Sequence, residues 1–240
     1  MTPLYQKLLA EFLGTFMLVL AAVGSAAASE GLLGQALASG LVLSVLVASF
    51  AGVSGAHFNP AVTIAFTVVG RSRPIDAPAY ILMQMIAASL AAGAIATLYP
   101  EGLAAVARGA ALPSDPSISA AKLIGGEALI TLLLMIAICG TMIDPRGRCC
   151  YGGAGDSQAE AKIGGMGVGF AVAANILALG PATGGSMNPA RSFGPALVRG
   201  EFAYHGCYWI GPVIGAIVGA VVYEKLMREP AKDAATQAKL

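Results

Sequence analysis

Six stretches of about twenty nearly uninterrupted apolar residues run along this chain, roughly at 8–28, 34–53, 77–98, 121–143, 163–181 and 206–226. A helix needs about 20 such residues to cross the ~30 Å hydrocarbon layer of a bilayer. Backbone groups facing lipid must bond within their own segment, so each stretch is expected to be a helix. Composition agrees: of the 240 residues, 57% are hydrophobic and only 11% charged, against a usual charged share of roughly 25%. A water-exposed surface cannot be covered with so few charges, whereas one facing lipid needs almost none. The expected fold class is an all-α membrane protein, with the lipid bilayer as its first partner.

Positive charges suggest the orientation. With both termini in the cytoplasm, the inner side holds Lys7, Arg71, Arg73, Arg146, Arg148, Lys162, Lys225 and Arg228, and the outer side mainly Arg108, Lys122 and Arg199. The net charge of +1 offers no field for nucleic acid. Cys139, Cys149, Cys150 and Cys207 form no CxxC pair, so neither a zinc site nor a disulfide framework is indicated. The first apolar run is too long for a cleavable signal and is followed by others like it.

Two shorter apolar stretches remain, at about 60–70 and 189–198. Each is long enough as a helix to cross half a membrane, ~15 Å. They follow the second and the fifth spans, as in an inverted repeat whose paired half-helices meet at the midplane. Repeat one covers about 8–98 and repeat two about 121–226 of a single transmembrane domain spanning 1–240. AEFLGTFMLVL (10–20) answers GEALITLLLMI (126–136), and SGAHFNPAVT (54–63) answers TGGSMNPARS (183–192).

Only three Asn occur, and two stand in Asn59-Pro60-Ala61 and Asn188-Pro189-Ala190. Asn caps a helix N-terminus through its side-chain oxygen. Pro fits the first helical position, where its missing N–H is no loss. Ala lets two helix ends approach. Each triplet therefore reads as the start of a half-helix, with the Asn amide N–H₂ left free for the pore. One triplet alone is weak evidence; two, in matching places of a repeat, are strong.

On AEFLGTF, SGAHFNPAVT, MNPARSFGPAL and YWIGPVIGA the chain resembles the aquaporins, or major intrinsic proteins, from about Leu8 to Tyr223. The resemblance implies six transmembrane helices, two membrane half-helices and passive passage of small neutral solutes, with no cofactor. It also implies a homotetramer with one pore per subunit. Two half-helix N-termini would oppose cations at the midplane, while Asn59 and Asn188 donate to the passing oxygen. Arg191 would line a selectivity filter, the alternative being a brace for loop carbonyls. Glu11 and Glu127 read as acceptors for the pore loops rather than a proton relay, because no chain of titratable groups accompanies them. His57 reads as loop scaffolding.

By family offsets the remaining filter positions are Ser39, 20 residues before the first Asn, and Ile176 and Gly185, 12 and three before the second. Water-selective members carry an aromatic and a His where Ser39 and Ile176 stand, so this filter is expected to be wider. Glycerol facilitators carry an Asp and a basic residue where Ser192 and Ala196 stand, and Tyr208-Trp209 departs from them too. The loop AGVSGAH is closer to them. Small residues with Ile and Arg resemble channels for arsenite, boric acid or silicic acid. The rivals are a water channel narrowed by the loop at 99–120, an ion-coupled secondary transporter, and a closed structural membrane protein. No nucleophile–base pair or metal cluster can be assembled for an enzyme. Short termini and Ala-rich composition point to a bacterial inner membrane. The loop at 144–162, carrying Cys149 and Cys150, is a candidate inner gate.

Overall fold

The computed structural model describes residues 2–144 and 157–228, without the side chains of 157–163. Cys149, Cys150 and residues 145–156 of the candidate gating loop thus lie outside the described residues, and its positions 157–162 are the first part of a long helix. Nine α-helices are described: α1 (Leu4–Ala27), α2 (Gly31–Ser54), α3 (Pro60–Val68), α4 (Ala77–Leu98), α5 (Leu103–Arg108), α6 (Ala120–Ile138), α7 (Ser157–Thr183), α8 (Pro189–Arg199) and α9 (Cys207–Val222). No strand occurs among the described residues. Six helices are long and apolar enough to cross a membrane, and α3 and α8 are the two half-length ones. Helices α6 and α9 each end in a five-residue π-helical turn, Cys139–Ile143 and Tyr223–Met227.

Close helix contacts come from small residues, as expected where lipid supplies no hydrophobic drive for helix association. Gly211, Gly215 and Gly219 recur every fourth residue on α9, and a methyl on any of them would strike the backbone of α6 at Ile124, Ala128 or Leu132. Gly40 on α2 lies against Gly169 and Ala173 on α7, and Gly194 on α8 lies on the Ala88 carbonyl of α4. Large apolar side chains such as Leu41, Leu133, Phe170 and Ile214 face outward, each about half exposed, as the lipid-facing surface requires.

Candidate functional site

Helices α3 and α8 start as the triplets predict. Asn59 Oδ1 accepts from Ala61 N at 2.8 Å, and Asn188 Oδ1 from Ala190 N at 3.0 Å and Arg191 N at 3.3 Å. Pro60 and Pro189 take the first helical positions. The amide nitrogens, expected from the sequence to be free, each make one bond instead. Asn59 Nδ2 donates to Met187 O at 2.8 Å, and Asn188 Nδ2 to Phe58 O at 2.9 Å. Each Asn thus locks the loop of the other half, and one N–H per amide remains for the channel that both line.

The loops leading into the triplets share a strained backbone. Gly55, Ala56 and Phe58 have φ of 91°, 52° and 50°, and Gly184, Gly185 and Met187, each 129 residues further on, have 89°, 58° and 54°. A non-Gly residue held at positive φ costs about 1–3 kcal/mol and persists only where its surroundings over-determine it. Buried carboxylates do so here. Glu11 accepts from Ser54 Oγ (2.6 Å), His57 N (3.0 Å), Phe58 N (2.7 Å) and Gln84 Nε2 (2.8 Å). Glu127 accepts from Ser186 N (3.0 Å) and Met187 N (2.8 Å). Tyr80 and Tyr208 add matching bonds, to Ser54 O at 2.9 Å and Thr183 O at 2.7 Å.

Between the two halves runs a channel of about 90 Å³, opening above into a vestibule of about 280 Å³. Four-residue steps along the long helices build the apolar wall: Leu18 and Ala22 on α1, Ser39, Leu43 and Val47 on α2, Leu134 and Ile138 on α6, and Val168, Val172 and Ile176 on α7. Met142 and Ile143, in the π-helical turn after α6, join Phe66 further along the same wall. The opposite wall is loop: Gly55, Ala56, His57 and Asn59 from one half, Gly185, Ser186, Met187 and Asn188 from the other.

Channel and vestibule meet at five shared residues, Ala22, Ser39, Ile176, Gly185 and Arg191. Four are the positions counted from the triplets. Ala22 was missed, because positions were counted only from the two Asn triplets and α1 lies outside those stretches. The neighbours of Ile176 point elsewhere: Asn175 is buried and donates to Ile130 O at 2.9 Å, and Leu177 faces outward. Arg191 braces a loop carbonyl, its Nη1 donating to Gly109 O at 2.8 Å, and the residue lines both cavities. The loop at 99–120 includes the unforeseen helix α5. It reaches the vestibule through Arg108, Ala110, Leu112 and Ser114 and contributes no residue to the channel below.

His57, read from the sequence as loop scaffolding, also lines the channel. Thr63 Oγ1 donates to Asn59 O and accepts from Gln84 Nε2, so His57 Nδ1, at 3.1 Å, is the donor in its contact with Thr63. That assignment, drawn from the network, leaves Nε2 as an acceptor on a channel-lining ring. Near the mouth, His205 Nε2 accepts from Trp209 Nε1 at 3.1 Å, and burial lowers its pKa below the ordinary histidine value. No group of three or more metal-ligating side chains occurs among the described residues.

A bundle of six membrane-crossing helices with two opposed half-helices, around a channel that joins a vestibule, fits a multi-pass membrane channel. The chain belongs to the family described as MIP, major intrinsic protein, whose profile matches residues 1–223. It is 37% identical over 228 residues to Aquaporin NIP1-1 of Zea mays, covering 92% of this chain and 74% of that protein. To Nodulin-26 of Glycine max it is 37% identical over 227 residues, covering 92% and 78%. To Aquaporin TIP4-4 of Zea mays it is 39% identical over 237 residues, covering 92% and 86%. Among solved structures, its fold matches the aquaglyceroporin from Plasmodium falciparum with a TM-score of 0.80 at 22% identity, over 94% of this chain and 97% of that one. The protein is a channel for small neutral solutes, not an enzyme.

Proposed function

We propose that the channel admits water together with neutral polyhydroxy solutes of about glycerol's size, including metalloid acids such as boric or arsenous acid, and that it excludes protons and ions. Ser39, Ile176, Gly185 and Arg191, with Ala22, form the selectivity filter of this reading. The observation that carries it is the character of those five residues, which line the junction of channel and vestibule without an aromatic or His among them. No residue of the loop at 99–120 lines the channel below, which speaks against the narrowed water channel. Nodulin-26 and NIP-type aquaporins among its relatives accord with the same reading.

Solute oxygens would take hydrogen bonds from Arg191 and from the remaining N–H of Asn59 and Asn188. Solute hydroxyls would donate to His57 Nε2 and to carbonyls of the strained loops. The apolar face, Leu43, Val47, Val168 and Val172, would accept carbon backbones and limit how many waters travel alongside. The positive ends of α3 and α8 meet at the midplane and disfavour cations and a protonated water file there. The only titratable side chains lining the channel among the described residues are His57 and Arg191, a poor set for ion coupling. Glu11 and Glu127 act in this reading as supports for the loops.

The whole chain works here as one channel unit of two inverted halves, with both termini cytoplasmic and four copies forming a tetramer, as in the family. The bacterial membrane expected from composition finds no support in the three relatives compared by sequence above, which are plant proteins. The test is stopped-flow light scattering on proteoliposomes, with glycerol or boric acid outside. Influx of both above protein-free liposomes supports the proposal; fast water flow without either solute refutes it.

A further inference from the structure

We infer that the outer vestibule is a solute-docking site in which Arg108 and Gln35 determine selectivity before the filter is reached. The inference rests on the wide-filter reading and adds residues which that reading does not use. The vestibule's volume of about 280 Å³ is generous, since a single water occupies on the order of 10–15 Å³ by the same measure. A small polyhydroxy solute fits there with part of its hydration shell.

Its polar groups are unusually available. Arg108, the last residue of α5, is braced by one nitrogen only: Nη2 donates to Ala27 O at 2.8 Å and lies 3.5 Å from Glu101 Oε1. Its Nε and Nη1 have no partner among the described residues, and the residue lines the vestibule. Gln35 is partly exposed on the same wall, and its amide likewise has no partner there. Ser39 follows one helical turn below Gln35 on the same face of α2, and its hydroxyl is also unpaired. Arg191, carbonyl-braced like Arg108, lines the vestibule beside Ser39.

Two guanidinium groups, an amide and a hydroxyl therefore form a descending series of groups able to donate hydrogen bonds, from open vestibule to filter. Water gains little from such a series, because it can be rehydrated by any neighbour. A solute with several hydroxyls loses hydration in steps, and each lost bond is replaced by one from Gln35, Arg108, Ser39 or Arg191. Glu101 partly offsets the Arg108 charge, which suits uncharged solutes better than free anions.

The experiment compares full-length wild type with Arg108→Gln, Arg108→Lys and Gln35→Leu in proteoliposomes, measuring water flow and low-concentration influx of glycerol and boric acid. Arg108→Gln and Gln35→Leu should each lower solute influx roughly three- to tenfold, as the loss of one or two hydrogen bonds implies, with water flow unchanged. Arg108→Lys should recover part of the loss. Gln35 braces no backbone, so Gln35→Leu keeps the test decisive if Arg108→Gln disturbs α5. Solute influx equal to wild type in both loss variants overturns the inference, and so does a parallel fall of water and solute flow in both. A wild-type protein that passes water but neither solute overturns the wide-filter reading itself, and the docking site with it.

Discussion

Removing the Glu11 carboxylate should collapse the first pore loop. In Glu11→Ala four donors lose their acceptor: the backbone N–H groups of His57 and Phe58, the Ser54 hydroxyl and the Gln84 amide. The residue is fully buried, so water does not readily substitute. Each stranded buried donor costs about 1–3 kcal/mol. The four share two oxygens and are not independent, which places the total at about 4–6 kcal/mol. Glu127→Ala strands two backbone donors, from Ser186 and Met187, for about 2–4 kcal/mol by the same measure. For a chain of this length 1 kcal/mol corresponds to roughly 2–4 °C in Tm. Glu11→Ala should therefore melt at least about 10 °C below wild type in detergent, with Glu127→Ala between the two. Glu11→Gln keeps one acceptor and should also lie between. The assay is a thermal melt followed by circular dichroism, paired with water flow in liposomes. Melting of Glu11→Ala within about 2 °C of wild type, alongside a change in proton leak, would refute the anchoring role and revive a proton relay.

Three further outcomes follow from the same geometry. Gly215→Val drives a branched side chain into the Ala128 carbonyl of α6. Overpacking costs about 1–3 kcal/mol, towards the upper end here because the obstacle is backbone, and size-exclusion chromatography should show a smaller monodisperse fraction. Asn188→Ala removes both the cap of α8 and the bond to Phe58 O, worth about 1–2 kcal/mol for the cap alone; a Tm equal to wild type would contradict the cross-lock. His205 binds its proton less readily folded than unfolded, because burial disfavours the charged ring. Stability should thus be full above the unfolded value of about 6.5 and fall as pH drops below it. The Tm loss between pH 7 and 5 should shrink in His205→Gln, and an identical loss would rule this histidine out.

Much of this fold could be read from the sequence because a bilayer leaves few choices. Twenty apolar residues must form a helix, and ten must stop halfway. The expected half-helix at 60–70 is α3, Pro60–Val68, and that at 189–198 is α8, Pro189–Arg199. Offsets from Asn59 and Asn188 implied by the family resemblance reached Ser39, Ile176 and Gly185, which line the junction of channel and vestibule. What stayed hidden depends on contacts distant in sequence. Asn59 meets Met187 across 128 residues, and nothing local to either announces it. The π-helical turn carrying Met142 and Ile143 into the channel wall leaves no mark in an apolar pattern. Arg108 looked like an ordinary outer-loop charge until α5 set it on the rim of the vestibule. His57 gave no sign of its tautomer, which follows from Thr63 and Gln84 together.

The most direct test narrows the junction of channel and vestibule. Ser39→Phe with Ile176→His replaces two of its five lining residues, the first with a much larger group and the second with a hydrogen-bonding ring. Water, glycerol and boric acid permeabilities would be measured by stopped flow on the same proteoliposome preparations as wild type. The expected result is a wild type permeable to all three and a double variant that keeps water flow but loses most glycerol and boric acid influx. Solute influx undiminished in the double variant, with water flow intact, would contradict the assignment of these residues as the selective constriction.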